Sequence, residues 1–253
     1  PTDTLRLRTM TLYYSGKKPA IRPSALMRNF FFRKGELFSQ DRQTFSQEAI
    51  ARMGVFKFTE FRYAPKDSVQ GSDTLDIRMY ATFDKPYNAE LEFNVTTKNT
   101  DQMGPGAVFK LTRSNFQRMG ADLSLEARGS YEWQTGANMK GEKTGINSWE
   151  LGGNLNLTYP RFIFFGNLWR KLNRKIQAST LFKMDVKWMN RAGYYGSASA
   201  GARIKWTFQK GENIIHEFTP VRLEYNHLLS TTQRFDSLMT ENPALYESLR
   251  DKL

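Results

Sequence analysis

The residues able to carry out acid–base or nucleophilic chemistry are few in this chain of 253 residues. Its two histidines, His216 and His227, lie near the start and the end of one predicted strand, and Ser230 stands three positions after the second. A serine hydrolase needs its serine within hydrogen-bond reach of a histidine, and no nucleophile-elbow pattern surrounds Ser230. We therefore interpret the histidines as water-facing residues of a strand and predict that the chain is not an enzyme.

Glu90 and Glu92 form a second candidate for acid–base chemistry, because residues two apart in a strand share one face. Lysine and arginine occur on the matching face of other predicted strands, which favours charge-balanced lining over a catalytic pair. The chain has no cysteine, so zinc–thiolate sites, thiol catalysis and disulfides are excluded. No His, Asp and Glu cluster has metal-ligand spacing, and no glycine-rich phosphate loop leads from a strand into a helix. We therefore expect no metal and no cofactor.

Basic residues outnumber acidic ones by 37 to 25, and the net charge of +12 indicates an anionic partner. Proteins that bind nucleic acid concentrate lysine and arginine in runs or on one helical stripe. Here the basic residues stand mostly singly along alternating segments, and the main cluster is Arg170-Lys171 with Arg174-Lys175. This distribution argues against nucleic acid as the partner.

Residues 1–85 mix helical and strand patterns and are predicted to form a small α+β domain. Ser39 and Gly54 stand at the capping positions of the longer helix, and Pro23 lies in the first turn of the shorter one. The predicted order is strand, helix, helix, strand, strand, over residues 5–14, 22–32, 40–53, 55–63 and 74–83.

From residue 86 to residue 229 the helical period disappears, and apolar or small residues alternate with polar ones in seven segments. Several segments reach about ten residues, the length with which a tilted strand crosses a bilayer, whereas soluble strands average about five or six. We therefore predict the N-terminal strands of an antiparallel transmembrane β-barrel, with the apolar face toward lipid and the polar face toward a wet interior. The segments are 87–96, 107–111, 121–134, 149–159, 182–188, 198–208 and 221–225.

Seven strands would leave two sheet edges unpaired, and single-chain bacterial barrels have an even number of strands. We therefore expect an incomplete barrel, completed either by chain beyond residue 253 or by further chains, and we favour the first. Residues 230–253 are polar and are predicted to be an external loop, partly helical.

Large aromatic residues stand at the ends of the alternating segments. Trp133 ends the third segment and Trp149 opens the fourth, across a long polar loop, while Tyr159 and Trp206 lie at the opposite ends. Two aromatic belts at strand ends are typical of a barrel at its two lipid–water boundaries. The alternative is that the same rings cap the core of a soluble sandwich. Strand length and alternation favour the membrane interpretation.

Two sets of residues form a wider pattern. In the first domain these are Gly16 after the first strand, Gly35 and Phe38 between the helices, and ARMGVF at 51–56. In the second part, the short turn after the second segment contains Asn115, Phe116 and Gly120, in the pattern Asn-Phe-x-x-x-Gly.

This order of parts resembles the BamA/TamA-type outer-membrane assembly factors, the bacterial surface antigen family, in which a POTRA domain leads directly into the barrel. The resemblance implies a bacterial outer membrane location with the POTRA domain in the periplasm. It also implies catalysis of membrane insertion without bond chemistry. The family's Arg-Gly-Phe loop motif and closing strands would lie beyond residue 253.

In that family the first barrel strand pairs weakly with the last, and a substrate strand adds to the open edge by β-augmentation. The edge implied here is residues 87–97. The residues implied to pair with substrate are Glu90, Leu91, Glu92, Phe93, Asn94 and Val95. A second edge, in the POTRA domain, would offer Phe56, Phe58, Phe61 and Tyr63.

The partners implied are unfolded outer-membrane protein substrates, periplasmic or lipoprotein assembly partners and the lipid bilayer. Two alternatives remain open: a polypeptide-secretion pore of the same superfamily and a passive porin-like channel. The POTRA-like domain argues against the porin, which needs no periplasmic docking module.

Overall fold

The computed structural model describes residues 3–7, 10–32, 34–65, 74–98, 102–134, 147–163, 176–191, 193–210 and 214–241. In these ranges no helix is both long and apolar enough to cross a membrane. The elements, in chain order, are β1 Asp3–Arg6, β2 Thr11–Tyr14, α1 Pro23–Asn29, α2 Gln40–Ala51, β3 Phe56–Pro65, β4 Leu75–Phe83, β5 Tyr87–Lys98, β6 Gln102–Phe116, β7 Ala121–Gln134, β8 Ser148–Tyr159, β9 Gln177–Arg191, β10 Tyr195–Lys210, β11 Ile214–Thr231 and α3 Gln233–Glu241.

The N-terminal part differs from the prediction in its first element. Residues 5–14 do not form one strand, because the chain folds back into the hairpin β1–β2, closed by a 2.8 Å hydrogen bond from Leu7 N to the Met10 carbonyl. Leu5 pairs with Leu12, so the reversal places two leucines side by side where a single strand would separate them. The described order is therefore β-β-α-α-β-β, and β1–β2 and β3–β4 form two separate sheets of two strands each.

Both helices and the β3–β4 hairpin lie where the sequence predicts them, within a few residues at each end. They enclose a small core formed by apolar residues from α1, the end of α2 and the start of β3. Buried residues of this cluster are Ile21, Ala25, Leu26, Met53 and Val55, with Met10, Leu12, Phe30, Phe56 and Met79 packed against them.

The second part is one sheet of seven strands in the order β11-β10-β9-β8-β7-β6-β5. Every strand pairs antiparallel with its neighbours in sequence, which confirms the predicted number and order of strands. The strands contain from 12 to 18 residues, two to three times the length of about five or six that is typical of soluble sheets.

The two faces of this sheet have opposite chemistry across all seven strands. Leu125, Leu155 and Met184 lie on one face with exposed fractions of 49%, 40% and 62%. Asn154 lies on the other face and is only 8% exposed, with the charged neighbours Glu126 and Asp185 half-buried beside it. A soluble sheet buries its apolar face, so this arrangement is inverted and is consistent with a wall of a partial β-barrel.

Helix α3 follows β11 and packs against the start of β10, at one end of the strands. Thr232 Oγ1 accepts a hydrogen bond from Phe235 N at 3.3 Å, which caps the first turn. Phe235 is buried, and its ring lies 5.3 Å from that of Tyr195. The helical prediction for the tail rested on ENPALYESLRDKL at 241–253, and residues 242–253 lie outside the described part.

The β6–β7 turn joins the N-terminal part to the sheet. The Arg118 carbonyl accepts a 2.8 Å hydrogen bond from Arg22 N at the start of α1. Asn115 acts in both directions: its Nδ2 donates to the Ala20 carbonyl at 2.9 Å, and its Oδ1 accepts from Gly120 N at 3.1 Å. One side chain therefore holds the turn and its neighbouring domain together.

The backbone of this turn explains why asparagine and glycine occupy its ends. Asn115 has φ 55° and Gly120 has φ 70°, and asparagine and glycine adopt left-handed backbone at least cost. A Cβ at residue 120 would also come within 2.6 Å of the Met53 methyl group. Gly120 therefore lets the buried end of α2 approach the sheet.

We expect Asn115→Ala to loosen the attachment of the N-terminal part by about 1–2 kcal/mol, because two hydrogen bonds lose one partner each. Hydrogen–deuterium exchange of the α1 amides should become roughly ten-fold faster. Gln117→Ala is the matched control, since Gln117 is exposed and shares the left-handed backbone with φ 55°. Equal exchange in both variants would contradict a clamping role for Asn115.

Candidate functional site

Strand β5 forms one edge of the seven-stranded sheet. It pairs with β6 continuously from Tyr87 opposite Arg113 to Lys98 opposite Gln102. Within the described part of the chain, no strand pairs with its other side. In an antiparallel pair alternate residues direct their N–H and C=O groups away from the partner. The outer side of β5 therefore presents a row of free donors and acceptors.

The apolar side chains of this edge point to the same face as the apolar residues of the rest of the sheet. Leu91, Phe93 and Val95 have exposed fractions of 61%, 76% and 69%. A lipid-facing edge with unmade backbone hydrogen bonds costs several kcal/mol per group. The edge is therefore suited to accept another strand.

The opposite face of β5 is polar and tied to β6. Glu90 Oε1 accepts from Asn88 Nδ2 at 2.7 Å, and its Oε2 lies 3.5 Å from Lys110 Nζ. Asn94 lies over Gly106, close enough that a Cβ at 106 would collide with its side-chain oxygen. Glu92 stands opposite Val108, whereas Glu90 stands opposite Lys110. Only Glu90 of these two carboxylates therefore has a cation directly across the strand pair.

The two histidines are not on the polar face. His227 pairs with Ala198 and stacks on Tyr225, with ring centroids 6.3 Å apart. His216 pairs with Phe208. Our interpretation of both as water-facing residues is therefore wrong, because the register of β11 places them among apolar neighbours. In the part of the chain that the structure describes, no group of three His, Cys, Asp or Glu side chains could hold a metal ion.

The predicted residues of the second edge divide between the two faces of the β3–β4 hairpin. Phe56, Phe61 and Tyr63 contact rings of their own domain, those of Phe83, Phe30 and Phe38 respectively. Phe58 is different, since 58% of it is exposed. Only Phe58 of this set offers a free side chain, although β3 has no partner on its outer side among the described residues.

The exposed face of this hairpin carries an ion pair that strand patterns did not single out. Arg62 Nε donates to Glu60 Oε1 at 2.7 Å, and the Arg62 guanidinium lies 5.0 Å from the Tyr80 ring centroid. The hydrogen bond from Arg62 lowers the pKa of Glu60 below its ordinary value.

The four predicted membrane-interface aromatics occupy opposite ends of the sheet. Trp133 and Trp149 lie at the end of β7 and the start of β8, and both are partly exposed. Tyr159 pairs with Thr180, which in turn pairs with Trp206, at the other end. Along β8, Trp149 and Tyr159 are about 33 Å apart at ~3.3 Å per residue, and a tilt of about 40° reduces this to roughly 25 Å, the height of the apolar band of a barrel.

A row of three cations across neighbouring strands could not be predicted from the pattern of any single strand. The register brings Lys183, Arg203 and Arg222 into one cross-strand row on the polar face of β9, β10 and β11. The sequence shows only that each residue alternates with apolar neighbours.

No protein-family model matches the sequence, and no curated protein is similar to it. Among solved structures, CdiB from Acinetobacter baumannii aligns over 85% of this chain and 45% of its own, with 11% identity and a TM-score of 0.39. The chain therefore spans less than half the length of that protein. An alignment this loose assigns neither a family nor a function.

The Glu60–Arg62 pair predicts a pH dependence in the N-terminal part. Because the folded pKa of Glu60 is lowered, the pair contributes stability above the ordinary carboxyl range and loses it as pH falls through the lowered pKa. In Arg62→Gln we expect the pKa of Glu60 to rise toward its ordinary value, because the hydrogen bond from the guanidinium is lost. Carboxyl-carbon NMR titration of the full-length protein in detergent, with Lys57→Gln as control, measures it. An unchanged Glu60 titration would contradict the assignment.

Proposed function

We propose that this chain is part of an outer-membrane β-barrel protein that handles polypeptides and performs no bond chemistry. Its N-terminal α+β part would act as a POTRA-type domain in the periplasm. The observation that carries this proposal is the edge of β5, which has no partner strand on its outer side among the described residues. It combines free backbone groups on one side with an apolar outer face and a polar inner face.

The proposed activity is assembly of outer-membrane proteins by β-augmentation. A substrate strand would pair with β5, and each added strand would satisfy backbone groups that lipid cannot. Leu91, Phe93 and Val95 would continue the lipid-facing surface onto the incoming strand, while Glu90, Glu92 and Asn94 would lie on the water side. Partners would be unfolded outer-membrane proteins and periplasmic or lipoprotein assembly factors.

The attachment of the N-terminal part supports this arrangement. The β6–β7 turn holds α1 beside the sheet, and Gln177 Nε2 at the start of β9 lies 3.5 Å from Glu48 Oε2 of α2. The chain passes directly from β4 to β5 through residues 84–86. A client bound along β3 or β4 would therefore be delivered next to the β5 edge.

A polypeptide-secretion pore is the second candidate, and the polar face favours it. That face continues without interruption over seven strands, as the lining of a conducting channel must. The insertase uses the edge of the wall, whereas the pore uses its interior.

Photo-crosslinking tests the edge. We expect a photoreactive amino acid at position 93 of the full-length protein to form crosslinks to substrate strands or to the closing strand of the barrel. The same group at position 155 is the matched control, because Leu155 is also exposed on the apolar face but lies on β8, which is paired on both sides. If both positions give lipid adducts only, β5 is not a pairing edge.

Depletion of the protein in its natural host separates the two functions. Loss of many outer-membrane proteins at once is the result expected for an insertase. Loss of one secreted polypeptide with an otherwise normal outer membrane would favour the pore. Proteome-wide mass spectrometry of the outer membrane and the medium measures both, and no change in either fraction would contradict both candidates.

A further inference from the structure

The row of Lys183, Arg203 and Arg222 has an unusual charge arrangement. Lys183 lies directly opposite Arg203 on β10, and Arg203 lies directly opposite Arg222 on β11. Like charges in direct cross-strand register destabilise a sheet. Something must offset this repulsion for the row to persist.

Carboxylates of the described residues offset only part of the repulsion within the row. Arg222 donates from Nε to Glu224 Oε1 at 2.8 Å. Lys183 and Arg203 make no ion pair or hydrogen bond with other described residues, and Arg203 Nε is shielded from solvent without an acceptor. A half-buried guanidinium in this state is costly unless an anion reaches it.

The row opens onto a recess in the polar face. It is lined by Lys183, Arg203 and Arg222 with the carboxylates of Asp185 and Glu224. Arg128 also lines it, but its Nε lies 3.9 Å from Glu150 Oε1. Gly201 forms part of its floor, where a Cβ would come within 2.7 Å of Asp185 Oδ2. The glycine therefore keeps the recess open beside the unpaired cations.

Neighbouring cations elsewhere on this face are already neutralised. Lys187 Nζ lies 3.0 Å from Glu150 Oε2, and Lys205 Nζ lies 2.8 Å from Glu217 Oε1. The excess of positive charge is therefore local to the row.

We propose that the row binds carboxylate side chains of an acidic polypeptide segment inside the barrel. Strands are about 4.8 Å apart, so the row extends over roughly 10 Å, longer than a single small anion but matched to successive carboxylates of a peptide. The occupant is a client polypeptide, which the proposed function would bring to the barrel, and a segment of this protein itself is the alternative outcome of the test. The inference rests on the polar face lining a lumen and does not depend on the β5 edge.

Peptide binding tests the chemistry. The full-length protein in detergent micelles is titrated with fluorescent hexaglutamate, and the Lys183→Gln/Arg203→Gln double variant should bind it at least ten-fold more weakly. Lys205→Gln removes one charge from the same strand but from a made ion pair, and should change binding less than two-fold. The Lys183→Arg/Arg203→Lys variant keeps both charges and should retain binding, which separates charge from misfolding.

Photo-crosslinking separates the two sources. A photoreactive group at Ser199, which lies on the polar face opposite Lys187, should crosslink within the chain if the segment is its own. It should crosslink to another polypeptide if the segment belongs to a client.

Three results would overturn the proposal. One is equal hexaglutamate binding by the double variant and the wild type. Another is displacement of the peptide by inorganic phosphate at the same concentration of charge, which would indicate a small-anion site. The last is an adduct at Ser199 that forms only within the chain, or no peptide adduct there at all. None of these results bears on crosslinking at position 93, so the inference and the proposed edge can fail separately.

Discussion

The inverted alternation of the long sheet is the constraint on which the rest of the protein depends. Each strand places leucine, tryptophan or valine on one face and charged or amide side chains on the other, and between the two edge strands the polar face is the more buried of the two. Such a sheet is stable only if its apolar face meets a nonpolar medium, since apolar surface left in water is unfavourable. Strand length, the aromatic belts and the role proposed for β5 all follow from this requirement.

Two local features shape this sheet: the β6–β7 turn, which contacts the N-terminal part, and two glycines on the polar face. The β6–β7 turn uses left-handed backbone at Asn115 and Gly120 to present carbonyl and amide groups to α1. On the polar face, Gly106 and Gly201 leave space where Asn94 and Asp185 lie across the neighbouring strand. The glycines thus determine where side chains can lie flat on the wall. A Cβ at either position would displace the Asn94 or Asp185 side chain from where it now lies.

The strands were predictable because alternation is a local signal that persists over many residues. The first hairpin was missed. Leu5 and Leu7 stand at odd positions and Leu12 at an even one, so a single strand would place them on opposite faces. The hairpin instead pairs Leu5 with Leu12, and Leu12 packs against the helical core. Likewise Phe56, Phe61 and Tyr63 have the spacing of an exposed edge, but they contact rings that come from elsewhere in the domain.

The sequence by itself determined the number of sheet strands and which residues of most strands share a face, since both depend on short-range periodicity. The tertiary structure decided which residues of different strands are neighbours. Register turned three separately placed cations into the row Lys183, Arg203 and Arg222 and moved His216 to the apolar face. Alternation from Val221, Leu223 and Tyr225 already places His227 there. The physical reason is that a shift of one residue between strands exchanges the faces, and shifts such as the one in β11 between Phe218 and Val221 become visible only once the strands are paired.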